Sequence, residues 1–362
     1  MSHYEERLQQ DIDHIRTRLD DIYQRVTRAV RDAVDAVAKD DKRLANLTIL
    51  GDRPINRGIR RIERLVHEFV VRHIPSAKHL RWVSSVLRVN VALERVGDYA
   101  VNVCREQAKL REKGPPTVLR DIETLGRQAE RVLTQSIQAF ADESTDLARS
   151  TIMLAEGVED NFTVAFDDLT AEADRDHYPK KDLFAMLIVL RSLKRVSDQA
   201  INICERTLFT VEGEAKGKKS FRILFVDERN DGLSQIAEAY AEKVFGESGE
   251  FTSAGWNPAD EVAPEILDFM DRHGLEVAGR KPTTISYLDS RHRHYHVIIG
   301  LNADPRPHLE RVPFRTSLLD WEIGSPPPLG ADDAEARLED AYRRIAEALR
   351  DLMEVLEGSE ED

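Results

Sequence analysis

One twelve-residue segment occurs twice in this chain. Residues 93–104 read LERVGDYAVNVC and residues 193–204 read LKRVSDQAINIC. Arg95, Val96, Asp98, Ala100, Asn102 and Cys104 return as Arg195, Val196, Asp198, Ala200, Asn202 and Cys204, each pair 100 positions apart. A constant offset of this kind indicates a duplicated folding unit. At helical pitch Glu94, Asp98 and Asn102 fall at i, i+4 and i+8 and share one face. The second copy keeps Asp198 and Asn202 on that face and places Lys194 where the glutamate stood. An acid stripe on two packed helices is a candidate site for a hard cation, which needs several oxygen ligands. The competing reading is a solvated, salt-bridged helix face, with Arg95 and Arg195 beside the acids.

The flanking sequence predicts the rest of each unit. Leu8, Ile12, Ile15, Leu19, Ile22, Val26, Val30, Val34 and Val37 recur at spacings of three and four, which is the stripe of a long amphipathic helix over 4–38. A second helix is expected from about Asp52 to His73, and a third after the turn at Pro75. Lys113-Gly114-Pro115-Pro116 breaks the chain, and helical patterns resume near 118–141, 145–173 and 180–209. The expected fold class is multidomain, α plus α/β. It comprises antiparallel three-helix bundles at 1–112 and 117–210, then a small four-stranded parallel-sheet α/β domain. About a turn near residue 74, Asp52 lies 22 residues before and Asp98 24 after, so the two stand nearly level. About a turn near 178, Asp160 and Asp198 stand likewise, 18 before and 20 after. Facing helices can thus each bring one carboxylate to a bundle metal site.

Composition excludes several functions. A formal net charge of −14 opposes nucleic acid and unassisted binding to an anionic bilayer. The charged start MSHYEERLQQDIDH does not read as a signal peptide, and no apolar run approaches membrane-spanning length. Two cysteines, Cys104 and Cys204, sit at matched places on the repeated helices and give no disulfide framework, so a cytoplasmic setting with both thiols packed inside is expected.

With those residues in place, the duplicated unit resembles the PhoU family of phosphate-regulatory proteins over about residues 5–210. The segment Leu-Glu-Arg-Val-Gly-Asp-Tyr-Ala-Val-Asn carries most of the resemblance, together with Pro75…Leu80-Arg81 and a helix-two start at Asp52. The resemblance implies paired three-helix bundles, metal on acid motifs (iron, zinc, manganese or magnesium), and homodimers. It also implies restraint of phosphate uptake through a phosphate ABC transporter and a two-component sensor kinase. Carried over by position, Glu94, Asp98 and Asp198 are the motif acids, with Asp52 and Asp160 beside them. Lys194 departs from the pattern: an ammonium there repels a cation or replaces one by pairing with Asp198.

Residues 211–220 (VEGEAKGKKS) read as a linker, and the composition then changes. Strands are expected at 221–226, 251–255, 297–301 and 316–320. Helices are expected at 234–244 and 261–273, with Gly274 as a C-cap, and a final helix runs to 356 before an acidic tail at 357–362. Alternating strands and helices predict a parallel sheet over 221–356. Leu224-Phe-Val-Asp-Glu-Arg-Asn-Asp-Gly-Leu-Ser234 and Ser253-Ala-Gly255 resemble the low-molecular-weight protein tyrosine phosphatase and arsenate reductase family. That family's Cys-x5-Arg loop is degenerate here. Asp227 stands at the cysteine position, Leu233 at the arginine and Ser325 at the general acid, so an inactive module is expected. Asp227, Arg229, Asn230, Gly232 and Ser234 form the candidate anion-binding loop, with Ser234 as a helix N-cap. Two alternatives remain at this stage. One is a phosphatase or arsenate reductase-type enzyme in which Asp227 accepts the phosphoryl group and Arg229 supplies charge. The other is a metal-free helical adaptor. His292, His294 and His296 share a strand face leading to an exposed edge, and read as solubilising residues rather than a metal site.

Overall fold

The computed structural model describes residues 3–175, 177–213, 221–286, 295–309, 316–324 and 334–358. The chain divides into two compact units, Met1–Lys216 and Gly217–Asp362.

Among the described residues the first unit contains six helices: α1 His3–Lys39, α2 Lys42–Arg72, α3 Ala77–Lys109, α4 Pro116–Ala141, α5 Thr145–Asp174 and α6 Lys180–Glu212. Their limits follow local chemistry. The Asp41 carboxylate accepts the Leu44 N–H at 2.9 Å at the start of α2, and Ser144 does the same for Leu147 at the start of α5. Pro116 opens α4, where its missing N–H has no partner to lose. Gly213 closes α6 at a φ of 81°, a left-handed conformation that suits glycine.

Helix α2 corrects the sequence reading. It begins at Lys42 rather than near Asp52, and runs through Gly51 and Pro54. Pro54 deprives the Leu50 carbonyl of its helical donor, but Leu50 is exposed, so water can serve that oxygen. Asp52 therefore lies well inside the helix.

Helices α1 to α6 share one apolar core. Gly126 of α4 admits Val34 of α1 so closely that an added Cβ would have to displace that valine. Arg31 reaches Glu130 at 2.7 Å, and Arg127 pairs with Asp35, across the same α1–α4 seam. The repeated helices α3 and α6 pack on each other. Tyr99 meets Arg195, while residues 84–95 of α3 share a groove with residues 199–206 of α6. That ordering makes the two helices antiparallel and puts a pseudo-twofold near Gly97 and Ser197, which the 100-residue repeat makes equivalent. Cys104 and Cys204 are buried free thiols, and desolvation pushes both up to about 12.

The second unit contains β1 Phe221–Asp227, α7 Leu233–Phe245, β2 Gly249–Gly255, α8 Pro264–Arg272, β3 Val297–Leu301, β4 Ser317–Trp321 and α9 Ala334–Glu357. The four strands form one parallel sheet in the order β2-β1-β3-β4. Side chains alternate with period two. Ile223, Phe225, Val297 and Ile299 pack under α7, α8 and α9, while Leu224, Val226, Ala254 and Ile298 pack with Ile285 and Tyr295. The third strand is interior, flanked by β1 and β4, so the histidine stretch before it does not lead to a sheet edge. Gly274 takes a φ of 62° after α8, as a C-cap requires. At Gly255 a side chain would strike the Glu228 carbonyl, so glycine lets β2 end against the loop after β1. That loop lies where the chain leaves β1 between β2 and β3, the usual ligand crevice of such sheets.

Candidate functional site

In the first half of the helical unit, Asp52 of α2 and Asp98 of α3 come close enough to interact. Burial, then the Asp98 charge, pushes the Asp52 carboxyl above the usual carboxylate range. One Asp52 oxygen accepts a hydrogen bond from Asn56 Nδ2 at 2.7 Å, while its Oδ1 is buried without any partner. The Asn56 Oδ1 is likewise buried and unpartnered. Gly97 lies against this carboxylate: an added Cβ would sit 3.7 Å from Asp52 Oδ1. Glu94 is half-buried and Asp98 exposed on the same face of α3. Among the described residues, no three His, Cys, Asp or Glu side chains converge in a cluster that could hold a metal ion. The oxygens gathered here are those of Asp52, Asp98 and the Asn56 amide.

The equivalent place in the second half is built differently. Lys194 is buried, and its Nζ lies 3.1 Å from Glu159 Oε2 and 3.9 Å from Asp198 Oδ2. The Phe162 ring lies 5.9 Å from the same ammonium. The acid that α5 contributes to Lys194 is Glu159, which the sequence argument missed in favour of its neighbour Asp160. A signal was there. The core stripe of α5 is Ala155, Val158, Phe162, Ala165 and Leu169, and Glu159 stands four residues from Ala155 and three from Phe162. A second unforeseen acid pair, Asp121 of α4 and Asp168 of α5, raises the Asp121 carboxyl through burial and then mutual charge.

In the α/β unit the loop after β1 is filled by its own carboxylate. Asp227 Oδ1 accepts the Asn230 N–H at 2.6 Å and Oδ2 accepts the Ser234 N–H at 3.0 Å. These donors line the loop and the first turn of α7, the place where an anion would be held. Burial pushes the Asp227 carboxyl up, against the hydrogen bonds from Ser234 and Asn230. The N-cap of α7 is Gly232, not Ser234, and the Asp227 carboxylate replaces the missing cap side chain.

Asn230 takes a φ of 50°, and its fully buried amide is spent inward. It donates to Ser234 Oγ and Ser253 Oγ at 2.9 and 2.8 Å, and accepts from the Thr283 N–H and Gln235. Ser253 in turn donates to Glu238, whose carboxyl is pushed up by burial and pulled down by Ser253 and Arg280. Arg229 is exposed and holds Asp231 at 2.7 Å. Leu233, at the arginine position, is buried in the core. His296 accepts the Arg222 N–H on Nδ1 at 3.0 Å, whereas His292, His294 and Ser325 lie outside the described residues.

A six-helix unit built from two copies of one three-helix motif, acid-bearing on its third helix, defines a class that comparison identifies. The PhoU domain family matches residues 19–107 and again 122–207. The helical unit of this chain thus carries two matches to the PhoU domain. A phosphate-specific transport system accessory protein PhoU homolog of Pseudomonas aeruginosa is 27% identical over 237 residues, covering 65% of this chain and 93% of that protein. The crystal structure of PhoU from Pseudomonas aeruginosa superposes with a TM-score of 0.55 at 28% identity, over 57% of this chain and 99% of that one. The α/β unit has neighbours of arsenate reductase and low-molecular-weight phosphatase fold. Among them is a thioredoxin-dependent arsenate reductase of Corynebacterium glutamicum, at 24% identity, covering 44% of this chain and 75% of that one, TM-score 0.31. No helix among the described residues is long and apolar enough to cross a membrane.

Proposed function

We propose that this chain is a metal-binding regulator of phosphate uptake and phosphate signalling, acting through protein partners, and that its α/β unit is a catalytically inactive phosphatase-fold module. The two PhoU domains support the regulatory part, because relatives carrying them are accessory proteins of phosphate-specific transport systems. On this reading the partner is a phosphate ABC transporter, a two-component sensor kinase, or both, met in the cytoplasm by a homodimer.

The observation that carries the metal is the orphaned oxygen of Asp52 beside Asp98. A buried carboxylate oxygen without a donor, next to a second carboxylate, fits a hard divalent or transition cation such as iron, zinc, manganese or magnesium. Such an ion would neutralise the two charges and tie α2 to α3. The equivalent place in the second half does not fit one: the Lys194 ammonium already stands between Glu159 and Asp198.

Inactivity rests on the loop after β1. Its donors are used by Asp227, its clamp position is a core leucine, and the guanidinium of Arg229 is tied to Asp231. Both carboxylate oxygens of Asp227 accept N–H bonds, which opposes the attack on phosphorus that the enzymatic alternative requires.

Metal analysis of protein purified without an affinity tag tests the site. Bound metal is expected in wild type and Asp198→Ala, and is expected to be lost in Asp52→Ala and Asp98→Ala; metal-free wild type would refute the metal. For the regulatory role, deleting the gene is expected to raise phosphate uptake in phosphate-replete cells. Unchanged uptake and starvation signalling would refute it. Turnover of an aryl phosphate that vanishes in Asp227→Ala would revive the enzyme.

A further inference from the structure

A groove of about 550 Å³ lies between α3 and α6, and neither Asp52 nor Asp98 lines it. Arg88 and Arg95 enter it from α3 and Arg206 from α6, beside the amides of Gln199 and Asn202. Leu87 and Val91 form its apolar wall, and none of its lining residues is acidic. In a chain of net charge −14, three guanidiniums share one concave surface. None of the three forms an ion pair with a carboxylate among the described residues. Arg206 meets only a ring, that of Phe209 at 6.0 Å.

The duplication supplies an internal control. The pseudo-twofold that exchanges α3 with α6 maps Arg88 onto Ile188, Arg95 onto Arg195, Arg206 onto Glu106 and Gln199 onto Tyr99. In the related place Arg195 lies 5.9 Å from the centre of the Tyr99 ring and is favoured by the Asp198 charge. Glu106 there pairs with Lys109 at 2.7 Å. The related place carries two arginines, Arg195 and Arg191 (the equivalent of Val91), with Glu106 and Asp198 beside them, whereas the groove carries three and no acid in its lining. Neighbouring like charges repel, so packing alone does not account for gathering three of them with no acid beside them.

We propose that this groove binds an anion carrying several linked phosphates. Arginine forks match phosphate oxygens bidentately, and no lysine takes part. Arg88 and Arg95 are seven residues apart, about 10 Å along the helix. That span exceeds one phosphate and suits a short chain of them. The volume lies in the usual range of small-molecule sites, about 300–1,000 Å³. Two sources share this chemistry: a nucleoside triphosphate, whose base would lie on Leu87 and Val91, and inorganic oligophosphate.

Calorimetric titration of the full chain with ATP, tripolyphosphate and orthophosphate, without added metal, tests the proposal. Saturable binding of tripolyphosphate, ATP or both is expected, weakening as salt is raised. Each of Arg88→Ala, Arg95→Ala and Arg206→Ala is expected to weaken it about tenfold, the loss of one charge-assisted pair. Arg88→Lys is expected to recover only part of that loss, and Arg195→Ala to leave binding unchanged. Equal affinity for ATP and tripolyphosphate assigns recognition to the phosphate chain; tighter ATP assigns a share to the apolar wall. The proposal is overturned if neither oligophosphate saturates, if orthophosphate binds as tightly, or if Arg195→Ala is as damaging as Arg95→Ala. These side chains lie at the surface of helices, so circular dichroism should confirm folded variants.

Discussion

The two halves of the helical unit carry one motif and settle its electrostatics in opposite ways. In the first half Asp52 and Asp98 face each other, with only the Arg105 charge to offset them in part, and an Asp52 oxygen is buried with no donor. In the second half Lys194 stands where the motif has glutamate and brings its own cation to Glu159 and Asp198. The motif is the same, and the side chain that most separates the two places is Lys194. A carboxylate pair left open asks for an external charge; one closed by an ammonium is held by the protein alone. The loop of the α/β unit repeats the second solution with the sign reversed, since Asp227 supplies the anion that the loop would otherwise recruit.

The strongest test of this contrast acts on Lys194. Lys194→Met leaves Glu159 and Asp198 without their ammonium in a largely buried setting, and is expected to lower stability by about 3 kcal/mol, read by urea unfolding at neutral pH. Lys194→Glu goes further, returning the motif acid and gathering three carboxylates. Its folding is expected to depend on an added divalent cation, with manganese or magnesium raising Tm far more than in wild type. A Lys194→Met protein as stable as wild type would break the comparison, because the ammonium would then not be what holds the second half.

A smaller effect is expected at the loop. Asp227→Ala frees the N–H groups of Asn230 and Ser234 and removes the cap of α7, at a cost of about 1 kcal/mol. The vacated space faces the same donors, so millimolar phosphate or sulfate is expected to stabilise this variant and not wild type in a thermal-shift assay. Equal response of the two proteins would mean that Asp227 does not occupy an anion site.

Much of this was legible in the sequence because it rests on periodicity and repetition. The stripe from Leu8 to Val37 gave α1, the 100-residue offset gave the paired helices, and alternating apolar runs gave the sheet. What was hidden depends on three-dimensional competition. Gly51 and Pro54 are local helix breakers, yet α2 runs through them because Thr48, Ile55 and Ile59 are drawn into the core on either side. Ser234 has the composition of an N-cap, but a carboxylate seven residues earlier takes that role from across the loop. Counting residues from a turn set Asp160 level with Asp198. Only the rotation of α5 about its core stripe decides that Glu159 reaches Lys194. Height along a bundle can be counted from sequence, whereas facing requires the helix phase as well.

The finest test concerns how protons report the open half. Asp52 has a raised carboxyl in the folded protein, from burial first and Asp98 second. The folded state therefore binds this proton more tightly than the unfolded chain does. The resulting stabilisation is present below the ordinary carboxylate range and is lost as pH rises through the raised value. Asp52→Asn removes that titration, so its Tm relative to wild type is expected to improve from acid toward neutral pH, by about 2 °C or less for a half-buried residue. Asp98→Asn removes only the second cause and is expected to flatten the profile in part. Saturating metal should produce the same flattening in wild type, because an ion between the two carboxylates replaces the proton. If Asp198→Asn flattened the profile as much as Asp52→Asn, the halves would share one electrostatic behaviour and the contrast built on Lys194 would fail.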